Sequence, residues 1–133
     1  GCWFSNIESI VKVSDEKTIL IHNPDAEELK NIMLKSDLAI SAGRQTLYEL
    51  ARIGLPVIGI GTAENQLHNL FAWERAGFLE YAGMHDDRQI LDNILMAINK
   101  SLPFSERLKR SNLGKKYVDG RGVERISDYL MGN

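Results

Sequence analysis

The stretch SDLAISAGRQTLYELARIGLPVIGIG, residues 36–61, contains two apolar runs separated by a segment with helical spacing. Residues 37–41 and 57–60 are short and rich in aliphatic side chains, which is typical of buried strands. Residues 44–53 between them predict a helix. Gly54 and Pro56 predict its end, because glycine accepts the left-handed conformation that closes a helix and proline cannot continue it. This order predicts two parallel strands joined by a crossover helix.

The same alternation extends in both directions along the chain. Residues 18–22 predict an earlier strand and residues 78–81 a later one. Further helices are predicted from Ser5, from Asp25, over roughly 64–76, and in three C-terminal segments at 90–98, 103–117 and 123–131. The fold class predicted is therefore α/β: an open parallel sheet of about four or more strands, Rossmann-like, with helices on both faces and closing C-terminal helices.

Length and composition limit the possible functions. The 133 residues predict a single domain, and the net charge of -2 provides no basic surface that would attract nucleic acid. Cys2 is the single cysteine, which excludes an internal disulfide and suits a reducing cytoplasm. No apolar run approaches the roughly 18 residues of a membrane span. Because the first predicted element is a helix, we expect the domain to be N-terminally incomplete and part of a longer two-domain protein.

The turn after residues 37–41 has the chemistry of an anion site. Ser41, Ala42 and Gly43 have small side chains, so backbone N–H groups there can approach a phosphate. The helix that follows would direct the positive end of its dipole to the same place. In open parallel sheets, ligands bind at the carboxyl ends of the strands, where this turn is expected to lie.

Two interpretations of Glu49 are open from the residues alone. Thr46-x-x-Glu49 has the spacing of a capping box, in which both side chains satisfy backbone N–H groups at the helix start. Alternatively, the Glu49 carboxylate accepts hydrogen bonds from both hydroxyls of a ribose. Helical geometry turns Glu49 and Arg52 away from the face formed by Leu47, Leu50 and Ala51. Spacing alone favours the cap or a solvated glutamate.

A second polar cluster follows the strand at 57–60. Asn65 and Gln66 are amides at a predicted helix start, where they can cap the helix or bind a ligand. Gly59-x-Gly61 does not complete a dinucleotide fingerprint, because Glu64 occupies the third glycine position. The three histidines lack the spacing of a metal set. No metal site and no cofactor is predicted.

Together these segments resemble a known family. The run SDLAISAGRQTLYELARIGLPVIGIGTAENQLHNL resembles the nucleotide-binding half of glycosyltransferase-B-fold proteins. It is most similar to the sugar-nucleotide hydrolases of pseudaminic acid synthesis and to spore-coat polysaccharide biosynthesis proteins, in which a strand "aDlaIsaGGsT" precedes a glutamate-bearing helix, "lGlP" and an "NQ" pair. The tail VDGRGVERISDYL resembles that group's "DGkGaeRi" segment. The undecaprenyl-pyrophosphoryl pentapeptide N-acetylglucosaminyl transferase is a more distant likeness.

The resemblance implies a uridine diphosphate site. Glu49 would bind the ribose, residues 41–43 would line the diphosphate, and Asn65 and Gln66 would face the nucleotide or its sugar. Arg44 stands where the family commonly has a small residue, so it can crowd the phosphates or supply a cation to them. The predicted nucleotide-binding residues are Ser41, Ala42, Gly43, Arg44, Thr46, Glu49, Asn65 and Gln66.

The resemblance also limits the expected activity. The histidine thought to act in the hydrolases belongs to an N-terminal half that this chain does not contain, so no catalytic residue is predicted here. The expected partners are a UDP-sugar and a missing N-terminal domain or partner subunit. Three hypotheses follow: half of a sugar-nucleotide hydrolase of surface-polysaccharide or nonulosonic acid biosynthesis, the donor-binding half or subunit of a glycosyltransferase, and a non-enzymatic α/β binding module.

Overall fold

A computed structural model of the chain describes residue 12 and residues 14–43 and 46–118. The helices predicted from Ser5 and over 123–131 lie outside the described residues, apart from Lys12. The described elements, in chain order, are α1 (Ala26–Leu34), β1 (Ala39–Ala42), α2 (Thr46–Ile53), β2 (Val57–Gly61), a short 3₁₀ turn (Glu64–Gln66), α3 (Leu67–Arg75), β3 (Leu79–Met84), α4 (Ile90–Ser101) and α5 (Phe104–Tyr117). The predicted α/β alternation is confirmed.

The sheet has three parallel strands in the order β1-β2-β3. Residues 18–22 do not form the predicted fourth strand: they have no regular structure, and the Ile19 side chain is 82% exposed. A β-branched run becomes a strand only when a neighbouring strand accepts its backbone hydrogen bonds and its side chains are covered. Within residues 14–118 this segment has neither, so the prediction of a fourth strand here is wrong for the described fold.

The larger core lies on the face of the sheet that includes Val57. Helices α1, α2 and α3 contribute its aliphatic and aromatic side chains, and α5 packs against α2. The core comprises Met33, Leu47, Leu50, Ala51, Leu55, Val57, Leu70, Trp73, Ala76, Phe78 and Leu79. The predicted helix end at Gly54 is confirmed, because Gly54 has φ 82° and the N–H groups of Gly54 and Leu55 both donate to the Leu50 carbonyl.

The opposite face of the sheet is covered by α4 alone among the described helices. Ile58, Ala82 and Ala97 form a smaller buried cluster there. Helices therefore lie on both faces of the sheet, as predicted. Within the same ranges of residues, no helix is long and apolar enough to cross a membrane.

A buried arginine joins α5 to the rest of the domain. The Arg110 guanidinium donates to Ser101 Oγ at 3.0 Å and lies 3.5 Å from Glu80 Oε2 and 3.3 Å from Glu106 Oε1. A buried charge is tolerated when it is paired and hydrogen-bonded, as this one is. Through these contacts the Arg110 guanidinium joins helices α4 and α5 to β3.

Candidate nucleotide site at the carboxyl ends of the strands

The described residues of the predicted site lie at the ends of β1 and β2 and in the elements that follow these strands. Ala42 pairs with Ile60, so the turns that follow these two strands start side by side at one edge of the sheet. This places residues 41–43 next to the segment 62–66. The sequence predicts this juxtaposition from the rule that parallel strands end at a common edge.

Ser41 and Ala42 are the last residues of β1 and are half-buried. The Ser41 hydroxyl donates to the Ala42 carbonyl at 3.2 Å. The strand therefore continues one residue further than predicted, and the Ser41 hydroxyl has a backbone partner.

Gly43 is buried, and close packing explains why this position has no side chain. A Cβ atom built on Gly43 would lie 2.6 Å from the Cγ atom of Leu70 and 2.9 Å from its Cδ1 atom. Leu70 is fully buried in α3, so it cannot move away freely. The glycine thus lets β1 approach α3 closely. Whether it also lets a phosphate approach stays a prediction.

Arg44 lies outside the described residues, as does Gln45. The prediction that Arg44 either crowds the phosphates or supplies a cation is therefore not tested by the structure. The described chain resumes at Thr46, which is half-buried.

The capping box predicted for Thr46 and Glu49 is absent. Thr46 is already the first residue of α2, whereas a capping threonine stands one position before the helix. No hydrogen bond joins the Thr46 side chain to Glu49 in the described part of the chain. Among the described residues, helix capping therefore does not account for the glutamate.

Glu49 is exposed, and its carboxylate has no hydrogen bond or salt bridge with any described residue. The predicted buried and exposed faces of α2 are confirmed. The buried face carries Leu47, Leu50 and Ala51, and the exposed face carries Glu49 and Arg52. Glu49 borders a groove of about 600 Å³ between α1 and α2. Its other lining residues are Ala26, Leu29, Lys30, Met33, Leu34, Arg52 and Ile53. No described residue therefore competes with a ligand for hydrogen bonds to the carboxylate.

The turn after β2 is organised by its own glutamine. The backbone N–H and the hydroxyl of Thr62 both donate to Gln66 Oε1 at 2.9 Å, and Gln66 is only 9% exposed. Asn65 is exposed beside it on the 3₁₀ turn. Gln66 therefore shapes the turn, and Asn65 is the amide that faces solvent. Sequence reasoning missed Thr62, although a threonine four residues before a glutamine at a helix start signals such a bond.

Tyr81, on the neighbouring strand β3, was also missed. A Cβ atom on Gly61 would lie 3.6 Å from the Tyr81 hydroxyl, which places that hydroxyl beside the carboxyl end of β2. The ring packs edge-on against Phe71 with centroids 5.0 Å apart. The Tyr81 backbone N–H, on the edge strand, donates to Glu74 Oε2 at 2.7 Å. Burial raises the pKa of the Tyr81 phenol, and the carboxylates of Asp87 and Glu74 raise it further.

This shift predicts a loss of stability in alkaline solution. The folded state holds the Tyr81 proton more tightly than the unfolded state, whose phenol has a pKa of about 10. The contribution of Tyr81 to stability is therefore fully present below pH 10 and is lost as the pH rises through the folded-state pKa. Phenolate absorbance during a pH titration, as the difference between wild type and Tyr81→Phe, measures this pKa and separates it from that of Tyr48, which burial also raises. Asp87→Asn should move the Tyr81 titration towards its ordinary range, and an unchanged midpoint would contradict the assignment.

No group of three or more histidine, cysteine or carboxylate side chains that could hold a metal ion occurs in the described part of the chain. Comparison with models of protein families, with curated proteins and with solved structures finds no match to this chain.

Proposed function

We propose that this domain binds the uridine diphosphate part of a sugar nucleotide at the carboxyl ends of β1 and β2. It would do so as the C-terminal half of a glycosyltransferase-B-fold sugar-nucleotide hydrolase, with the other half supplied by a further domain or subunit. The observation that carries the proposal is the exposed Glu49 carboxylate, which has no partner among the described residues and stands one turn into the helix that follows β1.

The distances along α2 support a nucleotide rather than a simple anion. A phosphate at the start of α2 would accept backbone N–H groups and benefit from the helix dipole. Glu49 follows Thr46 by three residues, which is roughly 4.5 Å along a helix. A carboxylate repels a bare phosphate but accepts hydrogen bonds from sugar hydroxyls. A ribose attached to the phosphate would bring such hydroxyls to Glu49.

The groove beside Glu49 supports the same ligand class. Its walls are largely aliphatic, from Leu29, Met33 and Ile53, with charged side chains at the rim. Small-molecule sites combine an apolar surface with a few placed polar groups. In the intact protein, donors at this edge would stabilise the pyrophosphate leaving group, while the other half places the water that attacks the sugar nucleotide.

NMR titration of the 133-residue chain with UDP, ADP and inorganic phosphate tests this proposal. We expect saturable UDP binding in the millimolar range, with backbone shifts at residues 41–43, Glu49 and Asn65. ADP should bind more weakly, and phosphate should shift the start of α2 without Glu49. No saturable change at millimolar UDP, or equal affinity for ADP, would refute uridine nucleotide binding. Hydrolysis of a UDP-sugar after addition of the missing half, without transfer to a sugar acceptor, would separate a hydrolase from a glycosyltransferase.

A further inference from the structure

A hollow of about 220 Å³ lies at the amino ends of β1 and β2, at the opposite edge of the sheet from the candidate nucleotide site. Its floor is the end of α2 and the segment before β2. One wall, the end of α1 and the turn before β1, carries Leu34 and Asp37. The other wall is α5, with Phe104, Arg107 and Leu108. The three apolar side chains on these walls are 57%, 70% and 47% exposed, so no described element closes the hollow.

Helix α5 presents one stripe of side chains to the hollow. The stripe consists of Phe104, Arg107, Leu108 and Ser111, whose i, i+3, i+4 and i+7 spacing places them on one face of the helix. Arg110 and Gly114 are buried instead, on the side of α5 that packs against the domain. The stripe and Leu34 together place three large, exposed apolar side chains around one hollow. This is more than the scattered apolar residues of an ordinary surface.

The hollow is large enough for an aromatic ring. A dry apolar cavity of about 150 Å³ binds benzene, so about 220 Å³ accommodates the ring of a phenylalanine. Phe104 itself borders the hollow and exposes most of its side chain. The same patch therefore carries both a projecting ring and a hollow that fits one. A two-fold interface between identical chains requires a patch that is complementary to itself in this way.

The charges of the patch are also complementary to each other. Asp37 is exposed, and its carboxylate has no hydrogen bond or salt bridge with a described residue. Arg107 Nη1 donates to the carbonyls of Ser101 and Leu102, whereas its Nε and Nη2 atoms have no described partner. No salt bridge joins Asp37 to Arg107 within one chain, although both line the hollow. A two-fold axis through the patch would bring Asp37 of each copy to Arg107 of the other.

We propose that this patch is a two-fold interface between two copies of the chain. Phe104 and Leu108 of each copy pack against Leu34 in the hollow of the other, and Asp37 pairs with Arg107 across the axis. A patch built around three large side chains is smaller than the roughly 800 Å² per partner of a standard interface, so the dimer is weak. The interface lies at the amino ends of the strands and is independent of the proposed nucleotide binding.

Sedimentation equilibrium of the 133-residue chain, from micromolar to millimolar concentration, tests the proposal. We expect a reversible monomer–dimer equilibrium. Leu108→Asp should weaken the dimer at least about 30-fold, the loss typical of a hot-spot residue. Leu95→Asp makes the same change at an exposed position on α4, on the other face of the sheet, and should leave the dimer unchanged. A chain that stays monomeric at millimolar concentration, or a dimer that Leu108→Asp weakens no more than Leu95→Asp does, would overturn the proposal.

Charge reversal tests the pairing across the axis. Asp37→Lys and Arg107→Glu should each weaken their own homodimer, because like charges would then face each other. Mixing the two variants restores both pairs of opposite charge and should give a dimer about as tight as that of wild type. A mixture no tighter than either variant alone would contradict the pairing. Arg107 also binds the end of α4, so circular dichroism checks that each variant folds; if Arg107→Glu does not, the comparison of Leu108→Asp with Leu95→Asp decides.

Discussion

Replacing Gly43 with alanine is expected to lower the free energy of unfolding by about 1–3 kcal/mol, the usual cost of inserting a methyl group into a packed interior. The added Cβ would lie 2.6 Å from Leu70 Cγ, at a branch point rather than at the far end of a flexible side chain. Leu70 is fully buried, so its displacement would disturb the core beneath α3. Urea unfolding of wild type and Gly43→Ala, followed by circular dichroism, measures the difference.

A double-mutant cycle with Leu70→Ala identifies the cause. Leu70→Ala alone should cost about 2–5 kcal/mol because it leaves a cavity. In that background the added methyl of Gly43→Ala has space, and the cost of the change should fall to near zero. A cost that is the same with and without Leu70 would show that the close approach to Leu70 is not the reason for the glycine. If the double variant still binds phosphate as well as Leu70→Ala does, the glycine serves packing rather than the ligand.

Much of the fold could be predicted because its signals are local. The aliphatic runs of β1 and β2 and the Gly54 helix end depend on residues close together in the chain, and each lies within a few residues of its predicted position. Residues 18–22 show the limit of local patterns. Their side chains are as suitable for a strand as those of β2, but a strand also needs a partner, and local sequence does not reveal one.

In the candidate site too, local features could be predicted from the sequence and tertiary contacts could not. The outward direction of Glu49 follows from helical periodicity and is confirmed. The contact of Gly43 with Leu70 joins residues 27 positions apart, and the groove beside Glu49 depends on how α1 packs against α2. These relations depend on three-dimensional packing, so the sequence could suggest small residues for phosphate approach without revealing what Gly43 contacts.

Glu49→Gln is expected to weaken UDP binding by about 10- to 100-fold. A hydrogen bond to a charged group contributes about 1.5–3 kcal/mol, and each 1.4 kcal/mol is a factor of ten in affinity. Inorganic phosphate should bind the variant as well as wild type or more tightly, because the change removes a negative charge near the anion. Weaker UDP binding with unchanged or tighter phosphate binding separates ribose recognition from a general effect on the turn, and NMR titration with each ligand measures both affinities.

Two controls make the Glu49 result specific. Asp92→Asn removes the same charge from an exposed position on α4, on the other face of the sheet, and should leave both affinities unchanged. Wild type should prefer UDP to 2′-deoxy-UDP, and Glu49→Gln should lose most of that preference if the carboxylate accepts from the 2′-hydroxyl. Because the capping box is absent, the variant should lose no more than the about 0.3–1 kcal/mol of a carboxylate near a helix start. A larger loss of stability, with the preference for UDP unchanged, would show that Glu49 acts on the helix and not on a ribose.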